Sequence, residues 1–165
     1  MISTLVLLRH AKSAYPDDVA DHDRPLNARG RRDAPAAGSL IAGIVAHFDL
    51  ALISTAERAQ QTWQLARPAL LVGEQADAPE LYLASSDAML RRIRDTDASA
   101  LLVVAHNPGT EILAARLAAN TASDPYQRMM TKFPTAAFAV LQAEVPFGQW
   151  GYGDAELTHF EVGRG

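Results

Sequence analysis

The residues of this chain that could do chemistry sit where apolar runs stop. Thr4-Leu5-Val6-Leu7-Leu8 is a short unbroken apolar run, long enough for a buried strand and too short for a typical helix. It ends in Arg9 and His10, a guanidinium and an imidazole that do not belong in a core without partners. A second run, Asp49-Leu50-Ala51-Leu52-Ile53-Ser54, is followed by Thr55-Ala56-Glu57-Arg58. With Ser54 or Thr55 as the N-cap of a helix starting there, Arg58 falls in the first turn, beside free backbone N–H groups that favour negative charge. A third run, Ala100-Leu101-Leu102-Val103-Val104-Ala105, delivers His106-Asn107-Pro108-Gly109. From Thr110 onward the pattern is helical, with Leu113, Leu117 and neighbouring alanines on one side. Open α/β sheets bind ligands at the carboxyl ends of their strands. Two imidazoles and two guanidiniums brought to that edge would form a phosphate site with a candidate nucleophile.

The elements that must position these groups alternate. The pattern predicts a strand over 3–9, a loop over 11–27, a helix within 28–47, a strand over 49–54 and a helix over 56–67. An extended piece near 79–83, a helix over 86–95, a strand over 100–105 and a helix over 109–119 follow. Ile41, Ile44, Val45 and Phe48 recur at helical spacing and should face the sheet. Alternation of this kind implies parallel strands joined by right-handed crossovers, a three-layer α/β/α fold with a mostly parallel central sheet. Ala136 to Val145 is a further strand, Pro146-Phe147-Gly148-Gln149 a turn, and Trp150 to Val162 a final strand, antiparallel at an edge. Asp17 to Asp23 is acidic and predicted to be a mobile loop.

Composition narrows the function classes. The chain has 165 residues, a length that fits one domain over 1–165 and buries about 70% of its extended surface without disulfide or metal staples. A net charge of −4 argues against nucleic acid as a partner. The chain has neither a long apolar stretch nor a signal-peptide pattern at Met1, so no membrane association is expected and the expected location is the cytoplasm. Cysteine is absent, which removes every thiolate mechanism.

The ordered set of motifs resembles the histidine phosphatase superfamily, which includes the phosphoglycerate mutases, and within it the short SixA-type phosphohistidine phosphatases. The matching segments are Leu7-Leu8-Arg9-His10-Ala11-Lys12-Ser13, Asp23-Arg24-Pro25-Leu26-Asn27-Ala28-Arg29-Gly30 and Ser54-Thr55-Ala56-Glu57-Arg58-Ala59-Gln60-Gln61-Thr62. Pro79-Glu80-Leu81-Tyr82, Val104-Ala105-His106-Asn107-Pro108-Gly109 and Lys132-Phe133-Pro134-Thr135-Ala136 complete it. Where mutases carry Arg-His-Gly-Glu, this chain has Arg9-His10-Ala11-Lys12 and lacks large insertions, which favours the SixA type. The resemblance implies a phosphoglycerate mutase-like fold and a metal-free, cofactor-free phosphohydrolase.

It also implies that His10 takes the phosphoryl group and that water then hydrolyses the phosphoenzyme. Neutral imidazole is a fitting nucleophile, since nearby cations disfavour its protonated form. Arg9 and Arg58 would hold phosphoryl oxygens through forked donors, and His106 would donate to the same group. Glu80 falls where relatives place a proton donor, and a carboxyl there could protonate the leaving atom. Arg24 and Lys12 could line the rim and meet the substrate's carrier. Each residue has a plainer alternative: His10 bonded to a carbonyl, His106 capping a helix, Arg58 paired with Glu57 or Glu111, and Glu80, Arg24 and Lys12 solvated on the surface. Asp21-His22-Asp23 does not follow a strand, as an aspartyl nucleophile would. Asp17, Asp21, His22 and Asp23 lack a metal-ligand spacing. His47 and His159 are expected to be structural or surface residues.

The substrate expected on these grounds is phosphohistidine in a phosphorylated protein. The rivals are a phosphatase for small phosphorylated substrates and a non-catalytic phosphate-binding module. The module could dispense with His10, so the intact quartet speaks against it.

Overall fold

A computed structural model describes residues 1–165. The strands are β1 (Ser3–Arg9), β2 (Phe48–Ile53), β3 (Val72–Asp77), β4 (Ala100–Ala105), β5 (Ala137–Ala143) and β6 (Glu156–Val162). The helices are α1 (Ala28–Ala42), α2 (Glu57–Ala66), α3 (Ser86–Arg94), α4 (Gly109–Leu117) and α5 (Asp124–Thr131). One six-stranded sheet runs in the order β3-β2-β4-β1-β5-β6. The first four of these strands pair in parallel, and β5 runs antiparallel to both of its neighbours.

The unbroken apolar runs have a simple cause. Along β1, Leu5 and Leu7 enter one core and Val6 and Leu8 the other, because successive side chains of a strand point to opposite faces. On the first face, Met89, Leu90 and Ile93 of α3, Leu113 and Leu117 of α4 and Met129 of α5 cover the sheet. On the second face lie Ala34, Ala37 and Ile41 of α1 with Ala59 and Trp63 of α2. A strand covered on both sides needs apolar residues at every position. The α/β layering with a mostly parallel sheet is thus as expected.

Several boundaries differ from expectation. Helix α1 opens with the Asn27 side chain accepting from the Gly30 N–H at 2.9 Å, and it ends at Ala42. Ile41 is core, but Phe48 is the first residue of β2, paired with Val72, rather than part of the helical stripe. Ile44 and Val45 pack from the connection. Strand β3, Val-Gly-Glu-Gln-Ala-Asp, was not signalled, since an edge strand with almost every residue exposed carries no apolar run. Helix α5 was not signalled either; its Ser123 cap is present, but it buries only Met129. The stretch expected to be extended near 79–83 holds a 3-10 turn, Pro79–Leu81. Asp21–His22–Asp23 is likewise a 3-10 turn, and its contacts contradict the mobile-loop reading. No helix is long and apolar enough to cross a membrane.

Gly30 shows how tightly α1 is set against the exit of β1. A Cβ there would lie 2.1 Å from the carbonyl oxygen of Lys12, so only glycine lets the helix start touch the segment just after His10.

Candidate phosphoryl-handling site

Three adjacent parallel strands end together. β4 lies between β2 and β1, and Arg9 is in register with Ala105. His10 and His106 therefore leave the sheet side by side, with the His10 N–H bonded to the Ala105 carbonyl at 3.1 Å. Their rings stand 5.1 Å apart, tilted by 55°. Ser54 directly follows β2 on the other flank, its N–H donating to the Val104 carbonyl at 3.0 Å. Arg58 is the second residue of α2.

His10 is buried at 7% exposure, and its Nδ1 lies 2.7 Å from the Ala11 carbonyl oxygen. A carbonyl can only accept, so Nδ1 carries the proton and Nε2 keeps its lone pair. Burial, aided by the charges of Arg58 and Arg9, lowers the pKa of His10 to about 3. His106 is lowered to about 4, again by burial first and by Arg58 next. Both imidazoles are neutral near pH 7. The Ala11 N–H is held by Thr62 Oγ1 at 3.0 Å, and that hydroxyl donates to the Arg58 carbonyl at 2.7 Å. Helix α2 thereby fixes the backbone on which His10 sits.

The two arginines are anchored from behind. Arg9 Nη1 donates to the Phe133 carbonyl at 3.0 Å, which also accepts from Asn107 Nδ2 at 3.0 Å. Arg58 is held by Asp21: Nη1 donates to the Asp21 carbonyl at 2.7 Å and Nη2 to its carboxylate at 3.1 Å. After these contacts three buried nitrogens have no partner: Arg9 Nε, Arg58 Nε and His106 Nδ1. Buried polar groups are nearly always hydrogen-bonded. Two orphaned guanidinium donors and an unpartnered imidazole nitrogen on the residues around His10 mark a place where an acceptor-rich anion would be satisfied.

Asp21 also accepts from the Tyr82 hydroxyl and pairs with Arg24 at 3.0 Å. The Tyr82 hydrogen bond, then Arg58 and Arg24, hold the Asp21 carboxyl well below the usual carboxylate range. The same bond raises the Tyr82 phenol above its ordinary value, so the charge stays on the carboxylate and the proton on the phenol. The Tyr82 ring meets His106 edge-on at 5.5 Å and His22 at 4.7 Å. His22 Nε2 lies 2.8 Å from Thr55 Oγ1. A Cβ on Gly109, the first residue of α4, would lie 2.2 Å from the Ala84 carbonyl oxygen, so the segment carrying Tyr82 is butted against the helix that follows His106.

The remaining expected site residues are dispersed. Arg24 stacks 4.2 Å from the Tyr15 ring centroid and donates to Ser13 Oγ at 2.7 Å. Its work is to tie the loop together. Lys12 reaches toward the same ring at 6.0 Å. Glu80 is paired outward, its half-exposed carboxylate accepting from Arg92 Nε of α3 at 2.8 Å. No group of three or more His, Asp or Glu side chains is arranged to hold a metal ion; Asp21 is committed to Arg58, Tyr82 and Arg24. Sequence reasoning missed Asp21, Tyr82 and Thr62 as site residues and took Ser54 or Thr55 for the N-cap. The residue in that position is Ala56, with no side-chain cap, and the Ser54 hydroxyl lies 2.7 Å from His106 Nε2.

The sequence profile of the histidine phosphatase superfamily (branch 1) matches residues 5–81. An uncharacterized Mycobacterium tuberculosis protein, MT1313, is 40% identical over 166 residues, covering 95% of this chain and 100% of its own. A candidate phosphohistidine phosphatase SixA from Nakamurella multipartitia superposes with a TM-score of 0.86 at 30% identity, covering 99% of this chain and 97% of that one. A second SixA candidate, from Agrobacterium tumefaciens, gives 0.77 at 30% identity over 97% and 98% of the two chains. With a full-length relative at this identity, a matching profile and a shared fold, the chain belongs to the histidine phosphatase superfamily.

Proposed function

We propose that this chain is a phosphohydrolase that works through a phosphohistidine on His10 and acts on phosphohistidine in proteins. The observation that carries the reading is the trio of buried, unpartnered nitrogens on Arg9, Arg58 and His106 beside an imidazole whose Nε2 is neutral and unprotonated. In the first step the Nε2 lone pair bonds to phosphorus, and the bond from phosphorus to the leaving atom breaks. That atom departs with its electron pair and is protonated. In the second step water adds to the same phosphorus, the P–N bond breaks, and Nε2 recovers its lone pair as inorganic phosphate leaves. Phosphoryl transfer depends mostly on positioning and charge stabilisation, which the two guanidiniums and the His106 ring supply. A protein phosphohistidine fits this site because its imidazole leaving group, once protonated, departs without a dedicated acid. Glu80, the expected acid, is tied to Arg92. The names carried by the Nakamurella and Agrobacterium relatives support the same substrate class.

The test compares kcat/KM on a phosphohistidine protein and a panel of small esters, with excess chelator present, followed by rapid-quench labelling. The expected result is chelator-resistant turnover, preference for phosphohistidine, and an acid-labile, base-stable label on His10 that His10→Ala loses. Label elsewhere, or turnover by His10→Ala, refutes the nucleophile. Better turnover of small esters makes those the substrates.

A further inference from the structure

We propose that Ser54 is a positioning residue that fixes the tautomer of His106, so that the ring presents an N–H, not a lone pair, to the bound phosphoryl group. Ser54 is fully buried at 0% exposure, and its hydroxyl has two neighbours: His106 Nε2 at 2.7 Å and the Ala56 N–H at 3.4 Å. The backbone N–H can only donate. The hydroxyl oxygen therefore accepts from Ala56, and its own proton has one acceptor within reach, His106 Nε2. Were the ring protonated at Nε2 instead, the Ser54 proton would be buried with no acceptor, an arrangement native structures avoid. With Nε2 accepting, the single ring proton sits on Nδ1. That nitrogen is the buried, unpartnered one.

The ring cannot easily turn to escape this choice. The His106 carbonyl accepts from the Thr110 N–H at 2.9 Å and from the Thr110 hydroxyl at 2.8 Å, which fixes its backbone, and the rings of His10 and Tyr82 crowd its ring with centroids 5.1 and 5.5 Å away. A neutral histidine is a donor at one nitrogen and an acceptor at the other, and the partner of one decides the role of the other. Here the strand next to β4 supplies that partner, and the choice is made before substrate arrives.

The tautomer follows from geometry alone, whereas its kinetic consequence rests on the phosphatase reading. The test records ¹⁵N shifts of the His106 ring at pH 7.5 in the wild-type protein and in Ser54→Ala, alongside kcat/KM for both. The wild-type ring is expected to show a protonated Nδ1 and a bare Nε2. Ser54→Ala is expected to show a mixture or the opposite tautomer, with kcat/KM reduced on the order of 10- to 100-fold, the range known for hydrogen-bond partners that orient metal-bound histidines. A wild-type ring protonated at Nε2 overturns the proposal, even if the variant fails to fold. A variant ring still protonated only at Nδ1 also overturns it. A wild-type chain that hydrolyses no phosphorylated substrate removes the phosphatase reading and leaves the tautomer assignment standing.

Discussion

Asp21 holds both terminal nitrogens of Arg58, the carbonyl at 2.7 Å from Nη1 and the carboxylate at 3.1 Å from Nη2. The guanidinium is buried at 3% exposure, where it could rotate among several poses if it were held only by its stem. Asp21 restricts it to one pose, with Nε left free. The same carboxylate places a negative charge beside a site built for an anion. The two effects oppose each other, and different substitutions separate them.

Asp21→Ala removes the carboxylate grip, and a hydrogen bond to a charged group contributes about 1.5–3 kcal/mol. Half-exposure of the Asp21 side chain favours the low end, so kcat/KM should fall about tenfold. Asp21→Asn keeps an acceptor and loses the charge. It should retain more activity than Asp21→Ala and bind vanadate more tightly than wild type. Steady-state kinetics and vanadate inhibition check both expectations. An alanine variant as active as wild type would show that Arg58 does not depend on Asp21.

The buried histidines set the response to acid. His10 and His106 have values of about 3 and about 4 in the folded chain, against 6.5 when unfolded. Between about 4 and 6.5 the unfolded chain therefore binds more protons at these groups, and stability falls as pH drops through that window. Their contribution is fully present above 6.5. The ring signals of both residues, followed by NMR, should not titrate between pH 8 and 5, and denaturant midpoints should fall from pH 7 to pH 5. An ordinary titration near 6.5 at either ring would show that burial does not hold it neutral.

Glu80 offers a sharper comparison. A lost proton donor costs about 10²–10⁴-fold, and the cost would fall on alkyl esters, whose leaving alkoxide needs a proton. A lost surface ion pair costs about 0–1 kcal/mol. With its carboxylate on Arg92 at 2.8 Å, Glu80→Gln should change kcat/KM by less than about fivefold on alkyl esters and phosphohistidine alike. A hundredfold loss confined to alkyl esters would restore the proton-donor role.

The legible part of this molecule was the part written in contiguous residues. An apolar run buried on both faces announces a parallel strand, and a His or Arg at its end announces what that strand carries, so Arg9, His10 and His106 could be placed on one edge. Asp21 gave no such signal. An acidic loop looks the same whether it is solvated or folded over an arginine 37 residues away in sequence. Ser54 was noticed for the wrong reason, since a serine before a helix is more often a cap than the partner of a histidine on the next strand. β3 escaped because an edge strand can be polar, and Phe48 misled because one aromatic can continue a helical stripe or begin a strand. In each case the deciding partner was distant in sequence.

The position of β4 between β1 and β2 makes the assembly of the site depend on a single strand. Residues 1–80 include His10, Arg9, Arg58 and Asp21, yet β1 and β2, which lead to His10 and to Arg58, share no edge. They join one sheet only through Ala100–Ala105, which pairs with both and brings His106 with it. Pairings of such long range form late and slowly. A chain in which β1 and β2 have formed but β4 has not therefore carries most of the site's charged groups and no common sheet edge to hold them.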